Sequence, residues 1–190
     1  QQMVRFIRRA SDTVKMDWRG SAVPVSSINV SVRRHGTIEQ VDAGVWEADF
    51  ANKIVGGGVL GRGCVQEEIR FLIAPELICS KIFCAHLEDH ESMLILGSEQ
   101  FSRYTGYRDT FQWTGDLTGG NEMAPHTVIT VFDALYISHA DYARQFSRRW
   151  ILRELDKAAS AFASYTLPPL HNGGLGAGEG KGGGGGDGER

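Results

Sequence analysis

The stretch VWEADFANKIVGGGVLGRGCVQEEIRFLIA, residues 45–74, limits what this chain can fold into more than any other. Its first part has the composition of a strand, its last part repeats apolar residues at helical spacing, and Gly56, Gly57 and Gly58 stand between them. A strand, a glycine loop and a helix in that order predict an α/β arrangement. They also set the loop at the carboxyl end of a strand, where open α/β sheets bind ligands. Glycine lets backbone N–H groups approach an anion closely, and the following helix N-terminus adds its positive dipole. The spacing matches neither G-x-x-x-x-G-K-[ST] nor the dinucleotide fingerprint, so a plain flexible turn stands beside a phosphate cradle as a reading of the glycines.

Glu67 and Glu68 open the helix, where the dipole favours carboxylates and capping is the ordinary role. Two features argue for chemistry instead. The pair follows a loop suited to phosphate, and Asp49 and Asn52 fall at the end of the preceding strand. A carboxylate held beside another has its pKa raised, which allows one of them to act as a general acid near neutral pH. Neighbouring helical residues diverge by about 100°, so the two glutamates are expected to take separate roles.

The rest of the chain extends the layered pattern. Residues 4–14 read as an amphipathic helix, 27–32 as a strand that continues through 35–40, and 45–52 as a strand. One helix is expected to end near Ala74 and a second to begin at Pro75. SMLILGSEQF and TVITVFDAL read as buried strands, residues 98–123 as a long functional loop, and 141–165 as a long helix. The glycine-rich tail has no apolar periodicity and is expected to be disordered from about His171. The predicted division is an N-terminal helical segment at 1–26, a catalytic region at 27–168 and the tail at 169–190.

At 190 residues the chain suits one domain with a real core. A net charge of -3 argues against a broad nucleic-acid footprint, and no apolar run approaches the roughly 20 residues of a membrane span. Cys64, Cys79 and Cys84 form no even disulfide framework and no zinc spacing, which points to a reducing compartment. Cys64 reads as a small filler, and His86 and His90 lack a third ligand at a defensible spacing, so neither metal nor cofactor is expected. The role of Asp133, at the end of a strand, stays open between orienting the fold and touching substrate.

DFANKIVGGGVLGRGCVQEEIRFLIAPELI resembles the signature of the poly(ADP-ribose) glycohydrolase catalytic domain, GSEQFSRYTGYRDTF its tyrosine-bearing segment, and GTIEQ an earlier strand end. The similarity runs from about Ile28 to about Tyr165. It implies an α/β fold, a macrodomain-like α/β/α sandwich with a mixed, incomplete sheet and a remnant of the family's N-terminal helical region. It also implies hydrolysis of the ribose–ribose O-glycosidic bonds of poly(ADP-ribose), with release of ADP-ribose. Carried over by position, Glu68 would be the general acid and then the base that activates water. Glu67 would orient the ribose, helped by Asp49 and Asn52. Gly56, Gly57 and Gly58 would embrace the diphosphate, Gln66 would support the site, Ile38 and Glu39 would meet the adenine, and Tyr107 would close over the ligand. Tyr104 is read as packing.

The implied partners are poly(ADP-ribose) and ADP-ribosylated proteins, with no membrane, no direct nucleic-acid binding and a monomeric state. The implied location is the nucleus and cytoplasm. The family's second glycine-rich phosphate segment has only a faint echo at Asn172, Gly173 and Gly174. Together with a first residue that is not methionine, this gives the expectation of a truncated piece. The alternatives to a glycohydrolase are a non-catalytic ADP-ribose-binding module and an inactive truncated fragment.

Overall fold

The computed structural model of the chain describes residues 3–10, 16–20, 22–40, 45–117 and 128–163. In chain order its strands are β1 (Arg5–Ala10), β2 (Trp46–Ala51), β3 (Glu91–Leu96), β4 (Ser102–Thr105), β5 (Gln112–Asp116) and β6 (Val128–Asp133). Its α-helices are α1 (Gln66–Ile73), α2 (Ser80–Phe83) and α3 (Arg148–Phe162). Four strands form one mixed sheet in the order β1-β3-β6-β2, parallel only between β6 and β2.

The apolar runs of β3 and β6 take the two central places, where a strand is covered on both faces. Ala51, Met93, Ile95, Ile129 and Val131 share one core with Phe71, Ala74 and Leu77 from α1 and the 3-10 turn Pro75–Cys79. The opposite face meets α3. Ser92 and Ser160 hydroxyls lie 3.1 Å apart, and Thr130 Oγ1 donates to the Ala161 carbonyl at 2.8 Å. Buried Asp133 closes the end of β6 by pairing with Lys157 and, at 2.6 Å, with Arg153 of α3. The expected α/β/α layering is therefore present, and Asp133 anchors the fold.

Four expectations need correction. Residues 5–10 are a strand, not part of an N-terminal helix. VRFIRRA alternates with period 2 as well as it fits a helix, and the open edge of β3 takes it up residue by residue. Phe6 then packs edge-on against Phe83 at 5.1 Å, and Arg8 grips Glu91 and the carbonyls of Ala85 and His86. Residues 27–32 are no strand: after a 3-10 turn at Val25–Ser27 the chain pairs with no strand among the described residues, and Val30 is 77% and Val32 83% exposed. The segment at 35–40 is turn and bend.

The long polar stretch after Ser98 contains a hairpin, β4 paired antiparallel with β5. The long helix is broken at Ser147, which is extended (φ -73°, ψ 148°) and separates the 3-10 segment His139–Phe146 from α3. Helix α1 ends as expected at Ala74, and Pro75 starts the 3-10 turn that leads into α2. The glycine-rich tail, residues 11–14 of the expected first helix, and residues 118–123 of the polar stretch lie outside the described residues.

Candidate active site

Strand β2 is an edge strand whose alternate residues Glu47, Asp49 and Ala51 are buried. Its free edge is closed by a side chain. Gln66, the first residue of α1, accepts from Phe50 N at 3.0 Å and donates from Nε2 to the Ala48 carbonyl at 3.0 Å. One amide thus bonds the outer edge of β2 on both sides and fixes the start of α1 beside the end of β2.

Asn52 shapes the exit from β2: its Oδ1 accepts from Ile54 N at 3.0 Å. The loop that follows folds back onto the two glutamates. Glu67 accepts from Asn52 N at 2.9 Å and from Gly56 N at 2.6 Å. Glu68 accepts from Gly58 N at 2.8 Å and from Val65 N at 3.0 Å. Val65 stands at the N-cap without an oxygen to offer, so Glu68 supplies the cap from inside the helix. Lys81 donates to the Gly57 carbonyl from below.

Gly57 has φ +45°, and a Cβ there would lie 2.3 Å from Glu68 Oε1 and 2.6 Å from Glu67 Oε2. A Cβ on Gly63 would meet Glu68 Oε1 at 2.7 Å. Glycine is therefore required because two carboxylates pack against the loop. Gly56, Gly57 and Gly58, the expected phosphate cradle, also form hydrogen bonds of their own in this loop. Their N–H groups go to Glu67, to the Ile54 carbonyl at 2.9 Å and to Glu68 respectively, all within the protein.

The two glutamates occupy different surroundings, as the helical divergence predicts. Glu68 lines an open cleft of about 410 Å³ with Arg62, Gly63, Cys64, Val65, Arg108 and Asp109. Glu67 points away, toward Asn52 and Gly56, and burial, opposed by those two N–H donors and reinforced by Glu68, pushes its carboxyl up to about 7. Asp49 is fully buried, and neither of its oxygens has a hydrogen-bond partner among the described residues. Burial and then the neighbouring Glu67 push it well above the usual carboxylate range, with Arg70 pulling the other way. Arg70 donates to Glu47 at 3.0 Å; burial raises Glu47 and Arg70 draws it back. One buried guanidinium thus serves a cluster of buried carboxyls.

The remaining expected residues lie elsewhere. Ile38 lines a separate open groove of about 440 Å³ with Arg33, His35 and Thr37. Glu39 accepts from the Tyr104 hydroxyl, whose pKa burial and Glu39 together raise. Tyr104 also stacks on Phe111 at 5.5 Å, so it both packs and binds. Tyr107 is 49% exposed at the turn of the β4–β5 hairpin, where its N–H donates to Thr110 Oγ1 at 2.9 Å. The structure brings Asp49, Asn52, Gly56, Gly57, Gly58, Gln66, Glu67 and Glu68 together, whereas Ile38, Glu39 and Tyr107 do not line the Glu68 cleft.

Sequence reasoning missed Glu47, Arg70, Lys81, Arg62 and Arg108. A signal existed for the first two: Glu47 and Asp49, two apart on a strand, share a face, and Arg70 interrupts the apolar side of α1. Among the described residues no helix is long and apolar enough to cross a membrane, and no three His, Cys, Asp or Glu side chains gather as a metal site.

Comparison with known proteins places the chain in a family. Residues 15–187 match the family described as poly(ADP-ribose) glycohydrolase, macro domain fold. The chain belongs to the poly(ADP-ribose) glycohydrolase family. The match takes in the glycine-rich segment as well as the loop and both glutamates. Poly(ADP-ribose) glycohydrolase 1 of Arabidopsis thaliana is 39% identical over 165 residues, 84% of this chain and 29% of that protein. The probable poly(ADP-ribose) glycohydrolase 2 of the same plant is 35% identical over 149 residues, 76% of this chain and 28% of that protein. Poly(ADP-ribose) glycohydrolase 1 of Caenorhabditis elegans is 48% identical over 67 residues, 35% of this chain and 9% of that protein. The chain spans under a third of the length of these relatives.

Proposed function

We propose that the chain hydrolyses the ribose–ribose O-glycosidic bonds of poly(ADP-ribose) and releases ADP-ribose, with Glu68 as general acid and base. The observation that carries this reading is that Glu68 is the carboxylate of the site that faces an open cleft. Glu67 and Asp49 are turned into the protein beside it. Cleavage passes through an oxocarbenium-like state. Glu68 gives its proton to the leaving ribose oxygen as the C–O bond breaks. It then takes a proton from water as that water attacks the anomeric carbon, which restores the acid.

The backbone donors of Gly58 and Val65 hold the Glu68 carboxylate in a fixed direction, the kind of preorganisation proton transfer needs. Glu67, turned inward, orients the ribose indirectly, by holding the loop backbone at Asn52 and Gly56. Asp49 is the buried carboxyl that feels the Glu67 charge, and Gln66 ties the helix start to β2. The adenine is assigned to Ile38 and Glu39, and the closing aromatic to Tyr107. ADP-ribosylated proteins are the source of substrate, the chain works as a monomer, and it resides in the nucleus and cytoplasm.

The test is incubation of the purified chain with poly(ADP-ribose), with ADP-ribose release followed chromatographically. Time-dependent release of free ADP-ribose is expected. A folded chain that binds ADP-ribose by calorimetry but releases none would overturn the hydrolase and leave a binding module.

A further inference from the structure

The Glu68 cleft carries two arginines that the proposed chemistry leaves unused. Arg62 and Arg108 come from different elements, the glycine loop and the β4–β5 turn, and both line the cleft. Both are exposed, and among the described residues neither side chain forms an ion pair or a hydrogen bond. Arg108 is also the one non-glycine residue with positive φ among the described residues, at +53°. For an L-residue with a long side chain that conformation costs roughly 1–2 kcal/mol. Backbone strain of this kind concentrates at ligand-binding positions.

The strain is held in place. Arg108 N donates to the Cys64 carbonyl at 3.0 Å, which pins the hairpin turn to the loop beside Glu68. Phe111 N donates to the Arg108 carbonyl at 3.0 Å, and Thr110 bonds both the N–H and the carbonyl of Tyr107. The arginine is thus presented at the cleft by a fixed turn.

Glu68 and Asp109 lie in the same lining, so a small free anion meets two carboxylates as well as two guanidiniums. A ligand that reaches Glu68 with a neutral sugar and the arginines with a phosphate avoids that repulsion. A sugar–diphosphate polymer has this alternation. We propose that Arg62 and Arg108 hold a diphosphate of the unit adjoining the one whose ribose meets Glu68, so that the chain binds polymer in preference to single ADP-ribose. This rests on the glycohydrolase reading for the identity of the ligand.

The test compares binding of poly(ADP-ribose) of defined length with binding of ADP-ribose, in the full chain and in Glu68→Gln, with and without Arg62→Gln/Arg108→Gln. Charge-assisted hydrogen bonds are each worth about tenfold or more. The double variant is therefore expected to weaken polymer binding by about a hundredfold and lessen its salt dependence, while ADP-ribose affinity moves by less than twofold. Arg62→Lys/Arg108→Lys should recover part of the loss. Arg108→Gly should raise the melting temperature, since it relieves the left-handed backbone, and still weaken polymer binding; a purely structural arginine would not separate the two effects.

Equal losses for polymer and monomer, or no loss for either, overturn the inference. If the wild-type chain cleaves polymer and the double variant binds it unchanged, the inference fails and the hydrolase reading stands. If binding is arginine-dependent but no cleavage follows, the inference stands and the hydrolase reading fails. A wild-type chain that binds no polymer overturns both.

Discussion

Gly57 shows how narrowly the site is drawn. Its N–H goes to Ile54, its φ is +45°, and the space a side chain would need holds both Glu67 and Glu68 carboxylates. Gly57→Ala is expected to cost at least roughly 1–2 kcal/mol from the backbone alone and to push the carboxylates off their donors, seen as a lower melting temperature with loss of ADP-ribose release. Retention of both would show that the loop adapts. At this scale the sequence was legible in identity and not in direction. Glycines next to adjacent glutamates marked a site, but spacing alone does not show that N–H groups of Gly56 and Gly58 turn toward Glu67 and Glu68. Arg108 was invisible for a similar reason, since only a backbone angle distinguishes it from any surface arginine.

At the scale of elements, α1 is held by its N-terminal side chains as much as by its apolar face. Gln66→Ala removes two hydrogen bonds to the edge of β2, and a loss of roughly 1–3 kcal/mol is expected, with a fall in turnover larger than that in ADP-ribose affinity as Glu68 loses its bearing. Arg70→Met leaves Glu47 buried without its partner and should cost roughly 3–5 kcal/mol; a denaturant melt measures both. β2, β3, β6 and the start of α1 were legible because apolar runs and glycine punctuation mark buried elements. The first strand was not. VRFIRRA satisfies both periods, and its fate was decided by the vacant edge of β3, a long-range partner that local pattern does not contain. The alternation in SINVSV failed the opposite way: it had the period of a strand and no strand to pair with among the described residues.

For the whole molecule, the buried carboxyls link stability to pH. Glu67 sits at about 7 when folded, against an ordinary value near 4.5, so the folded chain holds that proton more tightly. Its stabilising effect is full below about pH 4.5 and is lost as pH rises through 7, a change of roughly 3 kcal/mol. Asp49, raised in the same direction, adds to it. Melting temperature should therefore decline from pH 5 to pH 8 in the wild-type chain and flatten in Glu67→Gln and Asp49→Asn. An identical slope in both variants would show that another group carries the pH dependence. Helix geometry also turns the adjacent carboxylates to different places, Glu68 to the cleft and Glu67 to the interior.

That division of labour is tested most directly by measuring ADP-ribose release and ADP-ribose affinity side by side in Glu68→Gln and Glu67→Gln. If Glu68 is the proton donor proposed above, Glu68→Gln should lower the release rate by roughly a hundredfold or more, with affinity changed only a few fold, while Glu67→Gln should weaken affinity. Turnover surviving in Glu68→Gln, or abolished in Glu67→Gln with affinity intact, would contradict the assignment.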